Sequence, residues 1–352
     1  MTKLLKRRPL IASRSRRLVL GSLCILLLGA NLKGADLAKT GTTAAAILEI
    51  PMSPRGLAMG SAVIASFPDG AVLTWNPALA TQIKSPFISL MVMPWLVGTN
   101  MQNFAAVVPT REGVIGVYLS TWSMGDMLVR NEYYQQGNGE KFDAGDMVIG
   151  LAFARDLTDH FAIGGSLKYI QERIWHTTAA GWALDFGTLF RIDLGHGLRI
   201  GTTLCNYGSE MKLTGRDLYH YHDPNESMDG NNENIISEYE TNRWPLPLAF
   251  KIGLSTDLIK KSSMRWSIEV DAIHPSNNYG SWNIGTEFGF GKFITLWGGL
   301  ERLFLQDERL APGAGLGLYL PLAGNFKVQV SYGFRDYSDL GFAQSFALDF
   351  NL

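Results

Sequence analysis

The stretch QSFALDFNL, Gln344 to Leu352, sets Phe346, Leu348, Phe350 and Leu352 on one side and Ser345, Ala347, Asp349 and Asn351 on the other. A period of two is the signature of a strand with one apolar and one polar face. The same alternation runs through Lys327 to Phe334, where Val328, Val330, Tyr332 and Phe334 oppose Lys327, Gln329, Ser331 and Gly333. In Arg265 to Asp271, Trp266, Ile268 and Val270 face away from Arg265, Ser267, Glu269 and Asp271. Such a pattern suits both a soluble sandwich, with its apolar face inward, and a membrane barrel, with that face turned to lipid.

Strand length and loop parity separate the two. Working backward from the C-terminal strand, segments fall near 86–96, 101–110, 113–130, 142–156, 160–174, 180–192, 198–208, 244–257, 263–273, 280–290, 292–304, 310–320, 326–335 and 341–352, an even total of 14. Each matches or exceeds the roughly 9–11 residues of a tilted membrane strand. Every join after an even-numbered segment is short: Thr110-Arg111-Glu112, DLTDH from Asp156, DLGHG from Asp193, IKKSS from Ile259, a turn at Gly291 and PLAGN from Pro321. The long joins, 131–141 and 209–243, follow odd-numbered segments. Tight turns at one end and long loops at the other are the asymmetry of outer-membrane barrels, and a sandwich has no reason to sort its loops this way. Trp95, Trp122, Trp175, Trp182, Trp244 and Trp282 fall near segment ends, as an aromatic girdle would. The expected fold is all-β, a 14-stranded antiparallel transmembrane β-barrel.

Composition agrees. Charged residues make up 18 % of the chain, below the roughly 25 % of soluble domains, while 46 % is hydrophobic. At the N-terminus Lys3, Lys6, Arg7, Arg8, Arg14, Arg16 and Arg17 precede the apolar run Leu18 to Ala30, which is too short to span a bilayer and reads as a secretory signal. We assign 1–35 to a cleaved signal peptide; cleavage after Ala30 and an uncleaved anchor are the alternatives. Cys24 follows Leu23, not a small residue, so a lipoprotein signal is not expected. Removal of 1–35 leaves 23 basic against 32 acidic groups, a balance that repels phosphate backbones, and nucleic acid is excluded as a partner. Only Cys205 then remains, which excludes an internal disulfide and a paired-cysteine zinc site.

One stretch ahead of the strands is unlike them. SPRGLAMGSAVIASFPDGAVLTWNPALA, Ser53 to Ala80, contains Arg55-Gly56, Met59-Gly60, the turn Asp69-Gly70 and then Trp75-Asn76-Pro77-Ala78. Asn76 is suited to cap a helical turn and Pro77 to occupy its first position. Ile47, Leu48, Ile50, Met52, Leu57 and Met59 require burial, yet lie outside the strand array. Two readings stand: a hatch folded into the lumen, and a simple turn into the first strand.

This stretch resembles the N-terminal signature of the PorV/PorQ family, itself similar to FadL-type long-chain fatty-acid transporters that share the Asn-Pro-Ala element. TDHFAIGGSLKYIQE from Thr158, ALDFGTLFR from Ala183, RWPLPLAFKIGLS from Arg243, GTEF at Gly285 and YSDLGFAQSFALDF from Tyr337 follow in family order. The chain departs from barrels of this kind in ending on Leu352 where an aromatic is common. The resemblance implies a hatch over 36–85 inside a barrel over 86–352, carried by Arg55, Gly56, Met59, Gly60, Asp69, Gly70, Trp75, Asn76, Pro77 and Ala78. It also implies a location in the bacterial outer membrane among its lipids, with passive uptake of hydrophobic small molecules, or alternatively docking to secretion-system proteins.

FadL-type barrels are similar in carrying a kink in an early strand that opens the wall sideways. Met124, Gly125 and Asp126 interrupt the third segment and are the lateral-gate candidates; the other reading is that the strand stops at Gly125 and a loop hairpin follows. Other chemistry is thin. The 209–243 loop carries eight acids against three bases, and Asn225, Ser227, Asp229 and Gly230 fit half a calcium loop whose Glu position holds Ile236. His220 and His222 lack a third histidine, and Gly313, Gly315 and Gly317 alternate along a strand instead of opening a helix. The lumen-side acids Glu172, Asp185, Glu269, Asp271 and Glu287 are spread over several strands with no nucleophile to pair with a base. No enzyme activity, metal or cofactor is expected.

Overall fold

The computed structural model describes residues 39–224, 227, 234–291, 293–305, 310–321 and 326–352. The signal-peptide assignment and Asn225, Asp229 and Gly230 lie outside the described residues.

Fourteen long strands form the wall: β1 (Phe87–Pro94), β2 (Asn100–Pro109), β3 (Val114–Ser123), β4 (Ala144–Thr158), β5 (Phe161–Ile174), β6 (Thr177–Ile192) and β7 (Leu198–Gly208). They continue as β8 (Ala249–Lys261), β9 (Met264–Pro275), β10 (Ser281–Phe290), β11 (Ile294–Leu303), β12 (Ala311–Pro321), β13 (Lys327–Asp336) and β14 (Phe342–Asn351). Each pairs antiparallel with its sequence neighbours, and β14 returns to pair with β1 from Phe87↔Asn351 to Val92↔Phe346, so the sheet closes. Closure leaves no edge and every ladder bond internal, which is what a hydrocarbon solvent demands.

Alternation decides what faces where. Leu90, Val92, Phe104, Leu151, Phe186 and Leu348 are exposed on the outer surface, while Ser89, Met91, Asn103, Asp185, Ala347 and Asp349 are buried within. An apolar outer belt around a polar interior is a soluble protein inverted, and it matches an acyl-chain environment. We call the end bearing the joins after odd-numbered strands the upper end and the short-turn end the lower.

The third strand ends sooner than its sequence pattern suggests. Ser123 is the last residue of β3, opposite Asn100 of β2 and Gly145 of β4. Met124 N–H still reaches the Ala144 carbonyl at 3.1 Å, and beyond it the chain pairs with itself, Met127–Leu128 against Lys141–Phe142. Met124, Gly125 and Asp126 therefore sit above the wall, not as a kink within it. The ladders joining β1 to β2, β2 to β3 and β3 to β4 keep one register throughout. Register shifts occur elsewhere, at Asp156/Thr158, Leu184/Phe186, Asp257/Ile259 and Trp282/Ile284.

Residues 44 to 83 run inside this wall. Near the upper end Ala44 N–H donates to the Pro245 carbonyl at 2.9 Å and Ala45 N–H to the Glu172 carboxylate at 2.7 Å. The chain then descends through α1 (Pro54–Ala58), α2 (Val72–Trp75) and a 3-10 turn at Pro77–Gln82 before entering β1. Leu57, Met59, Ile64, Leu73 and Leu79 are almost wholly buried, each contributing about 1.5–3 kcal/mol by leaving water. A five-residue helix has no stability of its own and depends on this packing. Ser53 starts α1 by accepting the Gly56 N–H at 3.0 Å, with Pro54 preset at the first helical position.

Candidate ligand-binding site

Short polar side chains from the wall hold the inner segment by its backbone. On β9, Asp271 accepts the N–H groups of Val63 at 2.9 Å and Ile64 at 3.2 Å, and Glu269 accepts that of Ala65 at 2.6 Å. On β13, the buried Arg335 donates to the Leu57 carbonyl at 2.6 and 2.8 Å and to the Gly56 carbonyl at 3.0 Å, and it pairs with Glu301 of β11. That guanidinium thereby supplies donors to the Leu57 carbonyl at the end of the short helix α1, and reinforces the Gly56 carbonyl, which also accepts the Ser61 N–H at 2.8 Å. Arg55 points outward from the segment to Glu287 of β10 at 2.7 Å, and Arg265 of β9 meets the same carboxylate. Phe67 lies between Arg199 and Arg265, whose guanidinium carbons stand 4.3 and 3.9 Å from its ring centroid.

Close backbone approach accompanies these bonds. A Cβ on Gly299 would collide with the Met59 carbonyl group, and one on Gly333 with Pro54. Gly313 would place a Cβ 2.6 Å from the Ala58 oxygen. Gly313, Gly315 and Gly317 thus make room inside the barrel for α1 and for Trp297.

The Asn-Pro-Ala element is anchored at both ends. Asn76 accepts the Ala78 N–H at 3.1 Å, capping the 3-10 turn, and its amide donates to the carbonyls of Ile64 at 2.9 Å and Thr188 of β6 at 3.0 Å. Gly187 of β6 lies against the Asn76 side chain where any larger residue would clash. Asp69 accepts from Ser53 and from the Ala71 N–H at 2.6 and 2.9 Å, and Gly70 packs on Ser89. Met59 and Gly60 lie against β10 and β11. Gly56 leaves space for the Trp75 ring. The sequence-selected residues Arg55, Gly56, Met59, Gly60, Asp69, Gly70, Trp75, Asn76, Pro77 and Ala78 all fall within this segment. Met124, Gly125 and Asp126 lie apart from it: Asp126 pairs with Lys141 at 3.5 Å, and a Cβ on Gly125 would meet nothing within 4 Å.

Between the inner segment and the wall two recesses remain. The upper one is lined by Ile47, Leu48, Ile50, Met52, Trp75, Tyr118 and Val148, with Lys168 and Lys251 among its polar walls. Lys168 is held by Asp185 at 2.8 Å and by Asn206, a residue with φ 66 whose amide donates to the Pro247 carbonyl at 2.8 Å. Lys251 places Nζ 5.7 Å from the Trp75 ring centroid. The Trp75 indole N–H is buried without a protein acceptor, although buried donors are as a rule satisfied. The lower recess is lined by Ser53, Arg55, Asp69, Gln329, Ser331 and Asp349 together with Met52, Pro54, Met91 and Ala347. Sequence reading did not select Lys168, Lys251 or Arg335 as site residues. Strand alternation was the signal that turns Arg335 inward, one step beyond Gly333 on the polar face of β13.

His220, on the upper hairpin formed by Tyr219–His222 and Ile235–Glu238, stacks on Tyr239 with ring centroids 4.1 Å apart. At the upper rim Arg173 donates to both oxygens of Asp143, and that hydrogen bond holds the carboxyl below its ordinary range.

No protein-family model matches the chain, and no curated protein matches it. Solved structures do. The toluene transporter TodX of Pseudomonas putida superposes with a TM-score of 0.53 at 11 % identity, covering 85 % of this chain and 96 % of its own. A FadL homologue of Pseudomonas aeruginosa gives 0.54 at 10 % identity, covering 86 % and 98 %. The toluene transporter TbuX of Ralstonia pickettii gives 0.53 at 12 % identity, covering 85 % and 97 %. At such identities the likeness concerns architecture: this chain has the closed 14-stranded antiparallel fold of FadL-type transporter barrels.

Proposed function

We propose that the chain is an outer-membrane channel for passive uptake of hydrophobic small molecules, with residues 36–85 acting as its plug. The upper recess carries this reading. Its apolar side chains, Ile47, Leu48, Ile50, Met52, Trp75 and Val148, lie beneath the long-loop end, and Lys251 offers a polar head group a place to rest. The architecture shared with two toluene transporters and a FadL homologue supports the same assignment. With the long loops outside the cell, ligand enters from the extracellular side. The β3 wall is fully laddered, and a sideways exit there is not part of this proposal. The test is uptake of N-phenyl-1-naphthylamine by cells whose lipopolysaccharide leaflet otherwise excludes it. Expression of the chain is expected to accelerate the fluorescence rise several-fold, and Val148→Trp, which fills the recess, to cancel the gain. An unchanged rise on expression would overturn the proposal.

A second reading, docking of secretion-system proteins at the cell surface, rests on the upper hairpin. Tyr221 is 72 % exposed and its cross-strand partner Ile236 70 %, an apolar pair out of keeping with a merely solvated loop. If docking is the role, Tyr221→Ser with Ile236→Ser abolishes surface attachment of secreted proteins while leaving probe uptake intact.

A further inference from the structure

Met52 is the one residue that lines both recesses, and it is almost fully buried between them. Above it lies the recess beside Tyr118 and Val148. Below it the second recess is bordered by Ser89, Gln329 and Asp349, all close to the lower ends of β1, β13 and β14. Elsewhere the plug is pressed onto the wall without space for a Cβ, at Gly201, Gly285, Gly299, Gly313 and Gly333. The strands flanking the upper recess, β3 and β4, stay paired from Val114↔Ala154 to Ser123↔Gly145. The two recesses thus meet at Met52, the one residue common to their linings. That side chain is unbranched, with three rotatable bonds and a polarizable tip, the type best able to swing aside.

We propose that Met52 is the gate of a vertical path, leading from the upper recess through the plug to the short-turn end, and that the path selects small amphipathic molecules over pure hydrocarbons. The proposal rests on the uptake reading above and adds a route and a ligand class to it. The class follows from the lining. Trp75, whose buried N–H has no protein acceptor, borders the recess above the gate. A ligand with an apolar body and at least one acceptor satisfies that N–H; an alkane leaves it unpaired.

Benzoate is a suitable probe, and swelling of proteoliposomes in isosmotic sodium benzoate reads its entry. Met52→Ala is expected to raise the swelling rate at least threefold, Met52→Trp to reduce it to that of empty liposomes, and Met52→Leu to keep it near wild type. Thr121→Cys with Met147→Cys, paired across the outer face of β3 and β4, clamps the wall without touching the recess and is expected to leave swelling unchanged on oxidation. Heat-modifiable gel mobility confirms that each variant is a folded barrel. Wild-type swelling with Met52→Trp equal to it overturns the gate, as does loss of swelling on oxidation of the cysteine pair, which assigns exit to the side wall. Absence of both benzoate swelling and probe uptake in the wild type overturns the uptake reading itself.

Discussion

The plug meets the wall in two different ways. Along the arc from β5 to β13 it is fastened by backbone: main-chain N–H groups to Asp271 and Glu269, main-chain carbonyls to Arg335, and glycines where the two chains touch. Along β14 and β1 to β4 it is faced by side chains, Ser89, Met91, Tyr118 and Val148, with recesses that extend to Gln329 and Ser331 of β13, Lys168 of β5 and Lys251 of β8. Backbone fastening fixes position and tolerates no added atom. Side-chain facing leaves volume that a rotamer change can alter. A fixed arc opposite an adjustable one is what a stationary plug with a passage beside it requires.

The difference can be broken from the fastened side first. Arg335→Met removes the cation beside Glu301 and frees the Leu57 carbonyl; loss of one partner of a buried pair costs about 3–5 kcal/mol, read from denaturant midpoints of the detergent-solubilised barrel. Asn76→Ala removes a cap and two amide bonds, an expected loss of about 2–3 kcal/mol with increased ion leakage through bilayers. Gly299→Ala forces the wall away from Met59 and is expected to cost about 1–3 kcal/mol, whereas Gly125→Ala, in open space, stays within about 0.5 kcal/mol. Equal effects of the two glycine variants would contradict the fastened arc.

The smallest effect lies at the rim, outside the comparison, and calibrates it. Asp143 has a folded pKa depressed by Arg173, so the pair adds stability above the ordinary carboxylate range and loses it as pH falls through the depressed value. Asp143→Asn should therefore lower the transition temperature slightly at neutral pH and not at all in strong acid, a difference that thermal scans at the two pH values detect. Both partners are well exposed, which keeps the effect small.

The wall was legible because strand alternation is local. In QSFALDFNL the identity of every second residue already states which side meets lipid, and parity of loop length states how the strands follow each other. The top of β3 was less so. Its apolar pattern continues past Ser123, and only the lengths of β2 and β4 reveal that the ladder has ended. At the site, Asn76-Pro77 announces a capped turn through its own chemistry. Its bond to Thr188 depends on a neighbour more than 100 residues away, and nothing local encodes it. The same holds for Lys168, Lys251 and Arg335. Alternation turns each inward, but which backbone or ring each meets is decided by the path of the plug, a short irregular segment without a period to read.

The seam between β1 and β14 joins the two extremes of the wall, and the plug lies immediately before β1. Wall glycines lie so close to the plug's main chain at Gly201, Gly299 and Gly333 that a finished cylinder leaves no clearance for threading a folded segment into it. The amino-terminal segment is therefore expected to be enclosed while the final strand zips against the first, not threaded in afterwards.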